Sequence, residues 1–356
     1  MKTKKSTLPP RFTELHKGST HYRAPFWLPG GHLQTIITAR FTTSPKVSYR
    51  RERWLTPEQD DFIDIDWTQP LWAENAPLLV MFHGLEGSSS SHYALSLMKA
   101  CEQLGWQGAV AHFRGCSGEL NRLPRAYHSG DSREIDWIVR RFKQQAGARP
   151  VFLVGVSLGG NAMLKWLGEE GDAAVSLVSA AVSVSAPIDL EAGAHSLGQG
   201  FNMIYTRMFL KTLIPKTLEK IRLFPGFADA DQVRACRDFY DFDELVTAPL
   251  HGFDSATHYW KSSASKPYLM NIKVPTLLMN AQNDPFMPGR FLPQPHEVSP
   301  MVTCYFPKQG GHVGFPKHNA FPAGLDFLPE RVFSWFSQIQ TDVKLSGLEK
   351  EGLHHG

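Results

Sequence analysis

The amino-acid sequence predicts an α/β fold: a mostly parallel central sheet with helices on both faces and a helical insertion. Three observations carry this. Short apolar runs alternate with helical patterns from residue 78 to residue 170, the rhythm of strand–helix–strand units. Two of those runs, LLVMF at 78–82 and VFLVGV at 151–156, are continuously apolar, as strands covered on both faces are. The runs near 82, 113 and 156 each stop at a glycine-rich turn, with His83-Gly84, Arg114-Gly115 and Gly155-x-Ser157-x-Gly159. In such a sheet the turns at the carboxyl ends of the strands share one edge, where chemistry is carried.

In chain order, residues 22–40 read as an arm with aromatic anchors and a proline-glycine turn. Residues 47–55 and 62–67 read as an antiparallel edge; FIDIDW alternates apolar and acidic, the period of a half-exposed strand. A central strand at 78–82, a helix at 92–104 and a strand at 108–113 follow. The helix at 131–145 carries Ile135, Ile138, Val139 and Phe142 on one face and leads into the strand at 151–156. Residues 173–186 are too short and too polar for a membrane span and read as a buried strand with its approach. From 189 to 273 the pattern is helical without a strand run; inserted before the strand at 276–279, it reads as a cap over the reactive edge. A helix at 328–339 closes the core. The chain therefore divides into an arm (1–45), a core (46–188 and 274–340), a cap (189–273) and a polar, frayed tail (341–356).

Composition narrows the function. Thirty-seven basic residues against 34 acidic ones, with no basic block inside the chain, give no nucleic-acid footprint. Cys101, Cys116, Cys236 and Cys304 lack any Cys-x-x-Cys spacing, so neither a zinc site nor a disulfide framework is indicated, and a cytoplasmic, reducing setting fits. The basic start MKTKKSTLPPR is followed by no apolar run, so it is not read as a signal peptide. No run reaches the ~18 apolar residues of a transmembrane segment.

Ser157 sits where a strand meets a helix. A sharp turn there lifts the hydroxyl clear of the sheet, and small residues at 155 and 159 avoid clashes with the chain passing close by. The N–H of Leu158, opening the next helix, is free to stabilise an oxyanion. The N–H of Leu85, after His83-Gly84, is the second candidate donor. A serine hydroxyl becomes a nucleophile only when a base takes its proton, and the base needs a carboxylate to orient it. The chain order Ser, acid, His is met by Ser157, Asp284 and His312, each just past a predicted strand. Gly310-Gly311 would let the last loop swing His312 toward Ser157. Asp189 competes for the acid role from another loop, but Asp284 ends an apolar strand and is followed by proline, which points its carboxylate up. His83 and Arg114 are read as structural, one propping its loop and the other in an interior ion pair.

The stretches GGHLQT (30–35), FHGLEGS (82–88), HFRGCSGE (112–119), YHSGD (127–131), GVSLGGN (155–161), NDPF (283–286) and GGHVGF (310–315) together resemble the α/β-hydrolase-4 family, whose bacterial members are YheT-like esterases. The resemblance implies an α/β-hydrolase fold, a Ser157–Asp284–His312 relay and hydrolysis of carboxylic esters. It adds no metal or organic cofactor. It implies a small-molecule ester substrate, with lipid-like esters within range because eukaryotic members act on lipids. Some relatives carry two aspartates before the proline; here the first is Asn283. Thioester or amide cleavage, or acyl transfer, would use the same triad, and a non-catalytic binding module is the other class. Oligomeric state is not written in these motifs.

The cap holds one more signal. Leu197, Phe201, Ile204 and Met208, widened by Phe209 and Leu213, form an apolar stripe at helical spacing, with Arg207, Lys211 and Lys216 nearby. It could pack the cap onto the core, rest on anionic lipid, or in part line an acyl pocket over Ser157 with Met203 or Met208 adapting to chain length. The last is the working expectation.

Overall fold

The structure is a computed structural model and describes residues 22–70, 75–317, 321 and 323–352. The basic start, and His354 and His355 of the expected tail, lie outside the described residues.

Helix α1 (Gly30–Phe41) precedes the hairpin β1 (Tyr49–Leu55) and β2 (Phe62–Thr68). Alternation then follows: β3 (Leu78–Phe82), α2 (His92–Leu104), β4 (Gln107–Ala111), α3 (Ser132–Ala146), β5 (Val151–Val156), α4 (Leu158–Glu170) and β6 (Ala180–Val184). Between β6 and β7 (Thr276–Met279) lie only helices, chiefly α5 (Leu190–Leu197), α6 (Met203–Leu223), α7 (Ala230–Ala235) and α8 (Ala256–Ser263). β8 (Val302–Tyr305) and α9 (Phe327–Gly352) end the described chain.

The sheet runs β1-β2-β4-β3-β5-β6-β7-β8. β1, β2 and β4 pair antiparallel, and all pairings from β4 to β8 are parallel. The continuous apolar runs feed two faces in alternation. Leu78, Val80 and Phe82 pack with Leu153, Ile138 and Phe142 on one side; Leu79 and Met81 pack with Phe152, Leu97 and Phe333 on the other. This double cover is what a run without polar breaks requires.

The structure corrects four sequence expectations. The supposed arm contains α1, whose buried residues are Gln34, Thr35 and Thr38; a helix that buries polar residues has no apolar stripe to announce it. β2 is buried along its whole length rather than half-exposed. Its acidic residues face arginines directly across the hairpin: Arg51 binds both oxygens of Asp66 at 2.8 Å, and Arg53 binds those of Asp64 at 2.8 and 3.0 Å. Paired and hydrogen-bonded, the carboxylates tolerate burial. α9 continues to Gly352 where a frayed tail was expected, because TDVKLSGLEKEG is polar but rich in helix formers. The cap stripe is not one helix face. α5 ends at Leu197, Gly200 takes φ +55°, and α6 starts afresh at Met203. The interruption shifts the helical phase, leaving Phe201, Ile204 and Met208 52, 42 and 43% exposed.

Candidate active site

Ser157 joins β5 to α4 at φ 52°, ψ −119°, a left-handed conformation that costs energy for a residue with a side chain. Its backbone N–H donates to Val184 O at 2.8 Å, tying the turn to the neighbouring strand. A Cβ at Gly155 would stand 2.6 Å from Gly159 O, and one at Gly159 only 2.5 Å from the carbonyls of Phe82 and His83. Glycine is required at both positions by close backbone approach.

The structure brings Ser157, His312 and Asp284 together. His312 Nδ1 lies 2.9 Å from Asp284 Oδ2 and 3.2 Å from Oδ1, and its Nε2 lies 3.0 Å from Ser157 Oγ. A carboxylate only accepts, so Nδ1 carries the ring proton, leaving Nε2 to accept from the serine hydroxyl. Asp284 is buried, and its Oδ1 also accepts the N–H groups of Phe286 and Met287 at 2.7 and 3.4 Å. Phe286 stacks on His312 with ring centroids 3.9 Å apart. Asp189 does not join them; its side chain caps α5 by accepting the N–H of Ala192 at 3.1 Å.

The N–H groups of Leu85 and Leu158 have no hydrogen-bond partner among the described residues, and both residues line the cavity above Ser157. His83 is fully buried, with Nε2 accepting the N–H of Phe113 at 3.0 Å and Nδ1 donating to Gly84 O at 2.7 Å. Burial pushes its pKa down to about 3, so it holds the Leu85 turn as a neutral ring. Arg114 is bound by Asp61 and Glu134 in the interior.

The cavity over Ser157 and His312 measures about 90 Å³, with Leu190, Leu197, Phe209 and Trp260 of the helical insertion in its walls. A second cavity of about 130 Å³ adjoins it, sharing Leu85, Ser129, Leu158 and Tyr259. Met203 and Met208, expected as adaptable pocket residues, line neither one. The insertion is fastened across this edge by ion pairing of Lys216 with Glu86 and by Lys220, which donates to Asn121 Oδ1 and the carbonyls of Leu123 and Arg125.

Sequence reasoning gave no role to α1, which braces both loops of the constellation. Gln34 Oε1 accepts from Asn283 Nδ2 at 2.9 Å and from the N–H of Gly310 at 2.8 Å, while Thr35 Oγ1 accepts the N–H of His312 at 2.8 Å. Asn283 Oδ1 in turn accepts the N–H of Gly311 at 3.0 Å. Gly311, at φ +62°, approaches so closely that a Cβ there would lie 2.7 Å from Thr35 Oγ1 and from Gly31 O. The GGHLQT motif was the available signal: its Gln and Thr are the bracing groups, and its glycine admits the acid loop.

Comparison with known proteins agrees with this fold. The family model for the alpha/beta hydrolase fold matches residues 77–319. A protein of Escherichia coli (strain K12) named "Putative esterase YheT" is 40% identical over 287 residues, 80% of this chain and 84% of its own. Human "Phospholipase ABHD3" is 26% identical, over 90% of this chain and 79% of its own. The Pyrococcus furiosus esterase Pf2001 has a similar fold, with a TM-score of 0.51 at 17% identity, covering 82% of this chain and 93% of that one.

Proposed function

The chain belongs to the α/β-hydrolase fold family, and we propose that within it the protein is a serine hydrolase that cleaves carboxylic esters through an acyl-enzyme. The observation that carries this reading is His312, hydrogen-bonded at once to Ser157 Oγ and to buried Asp284. Ser157 Oγ attacks the ester carbonyl carbon as His312 Nε2 takes its proton, and Asp284 stabilises the imidazolium that forms. The carbonyl oxygen, now an oxyanion, is held by the N–H groups of Leu85 and Leu158. Collapse expels the alkoxide, which takes the proton from Nε2. Water then attacks the acyl-enzyme with His312 as base, releasing the acid and restoring Ser157.

The substrate reading follows the cavity walls. Leu190, Leu197, Phe209 and Phe286 beside Ser157 suit an apolar acyl chain, and esters as apolar as lipids fall within that chemistry. No helix among the described residues is long and apolar enough to cross a membrane. The four cysteines are free thiols, and on that ground we place the protein in the cytoplasm. The test is labelling by a fluorophosphonate probe, which reacts readily only with an activated serine. Wild type should label and Ser157→Ala should not; an unlabelled, folded wild type would end the reading. A panel of ester, thioester and amide substrates then fixes the leaving group.

A further inference from the structure

Of the cap stripe, Leu197 and Phe209 line the cavity over Ser157, whereas Phe201, Ile204 and Met208 point outward. With 100° per residue, Ile204, Met208, Lys211 and Pro215 fall within an arc of about 60° on α6. Arg207 flanks that arc on one side, and Phe201 stands in the turn just before α6. Phe201, Ile204 and Met208 are each 42% exposed or more, and Arg207 and Lys211 are exposed with no ion pair among the described residues. The opposite face of α6 buries Tyr205, Thr206 and Leu210. This is a helix seated by one side whose other side presents large apolar residues to water.

The face continues onto α1. His32 packs its ring on Phe201 at 4.6 Å and bonds Tyr205 Oη at 3.1 Å, and its neighbour Leu33 is 42% exposed. Neither α1 nor residues 197–218 contains an aspartate or glutamate, so these two segments supply no carboxylate to pair with either cation. The patch is close to the chemistry: ring contacts run from Tyr205 to Phe286 at 4.8 Å and from Phe286 to His312 at 3.9 Å.

We propose that this face of α6 docks the protein on an anionic lipid surface. An apolar ridge flanked by unpaired cations on one helix is the pattern that sits at a lipid interface, apolar residues in the acyl boundary and cations among anionic headgroups. A second copy of the chain is a poorer occupant. A two-fold contact would bring this face, with Arg207 and Lys211 and no carboxylate on residues 197–218, against itself, and like charges in an interface are unfavourable.

The experiment is co-sedimentation with vesicles of equimolar phosphatidylglycerol and phosphatidylcholine, against vesicles of phosphatidylcholine alone. Wild type should bind the anionic vesicles, lose binding in high salt, and bind neutral vesicles far less. Arg207→Ala/Lys211→Ala should weaken anionic binding by about tenfold or more, and Ile204→Glu/Met208→Glu should abolish it. Met301→Glu, at a methionine 47% exposed elsewhere, should bind like wild type. All variants should keep the wild-type melting temperature and hydrolysis of dissolved p-nitrophenyl acetate. The proposal is overturned by wild type that ignores anionic vesicles, by equal binding to neutral ones, or by a Met301→Glu loss matching that of the α6 pair. A wild-type dimer dissociated by Ile204→Glu/Met208→Glu would likewise hand the face to a second copy. Binding is read without turnover, and Ser157→Ala should bind as wild type does, so this result is separate from the fate of the esterase reading.

Discussion

The hydroxyl of Thr35 accepts the backbone N–H of His312 at 2.8 Å while donating to Gly31 O at 2.7 Å. A helix near the start of the described chain therefore fixes the loop that carries the histidine, and a positional error of about 1 Å at such a site can cost on the order of 100-fold in rate. Thr35→Val keeps the shape but leaves the His312 N–H without its acceptor. We expect kcat to fall roughly 10- to 100-fold with KM little changed, and Thr35→Ser to restore it. A Thr35→Val enzyme at full kcat would reduce Thr35 to a packing residue.

Ser157→Ala should remove ester hydrolysis by a factor on the order of 10⁴ or more. The fold should survive, because the substitution removes one small atom and leaves the strained turn held by the Val184 hydrogen bond. Turnover above a tenth of wild type, with folding checked by circular dichroism, would displace Ser157 from its role.

The two aspartates separate cleanly. Asp284→Asn should keep the geometry but favour the wrong tautomer of His312, costing up to ~10⁴ in kcat. Asp189→Asn should leave kcat near wild type and cost at most about 1 kcal/mol of stability, since Asp189 only caps α5. The reverse ranking would move the acid role to Asp189.

These residues also mark what is readable in a sequence. Ser157, Asp284 and His312 could be found because each sits in a local motif just past a strand and their chain order has few alternatives. Thr35 and Gln34 stood in the GGHLQT motif, but their bracing role could not be read from it, because their partners lie 249 to 277 positions away and no local pattern in α1 says what they touch. The burial of Asp64 and Asp66 was hidden because alternation reports side-chain period, not what covers the outer face; the cover here is the arginines of β1. The outward turn of Met208 was hidden by Gly198-Gln199-Gly200, which shifts helical phase inside an otherwise regular stripe.

Buried histidines should make the protein acid-sensitive. Burial, in each case the largest cause, holds His83 and His251 down to about 3 and His92 and His128 to about 4. Their unfolded value is 6.5. A depressed folded pKa means stability that is complete above the unfolded value and lost as pH falls toward the folded one. Asp243 and Glu134 work the other way: burial raises both, Asp243 to about 6, so they gain stability as pH drops. Four histidines against two carboxyls leave a net loss, each contributing at most about 1.4 kcal/mol per pH unit. Urea unfolding at pH 7, 6 and 5 should give falling stability; a flat or rising series would mean these rings are protonated in the folded state.

The acyl preference should follow Phe209 and Leu197 rather than Met208. Both of the first pair line the cavity over Ser157, whereas Met208 is 43% exposed and lines neither cavity. Each methylene buried in the transition state is worth ~0.8 kcal/mol, about fourfold in kcat/KM per carbon until the space is full. Across p-nitrophenyl acetate, butyrate, octanoate and palmitate, wild type should therefore rise from acetate to a maximum at a longer chain. Phe209→Ala should move that maximum to longer chains by opening the wall toward the adjoining cavity. Leu197→Trp should move it to shorter ones by filling the space beside Ser157. Met208→Lys should leave the profile of dissolved esters unchanged. A wild-type maximum at acetate, or a shift produced by Met208→Lys and not by the two wall variants, would remove the acyl chain from this cavity.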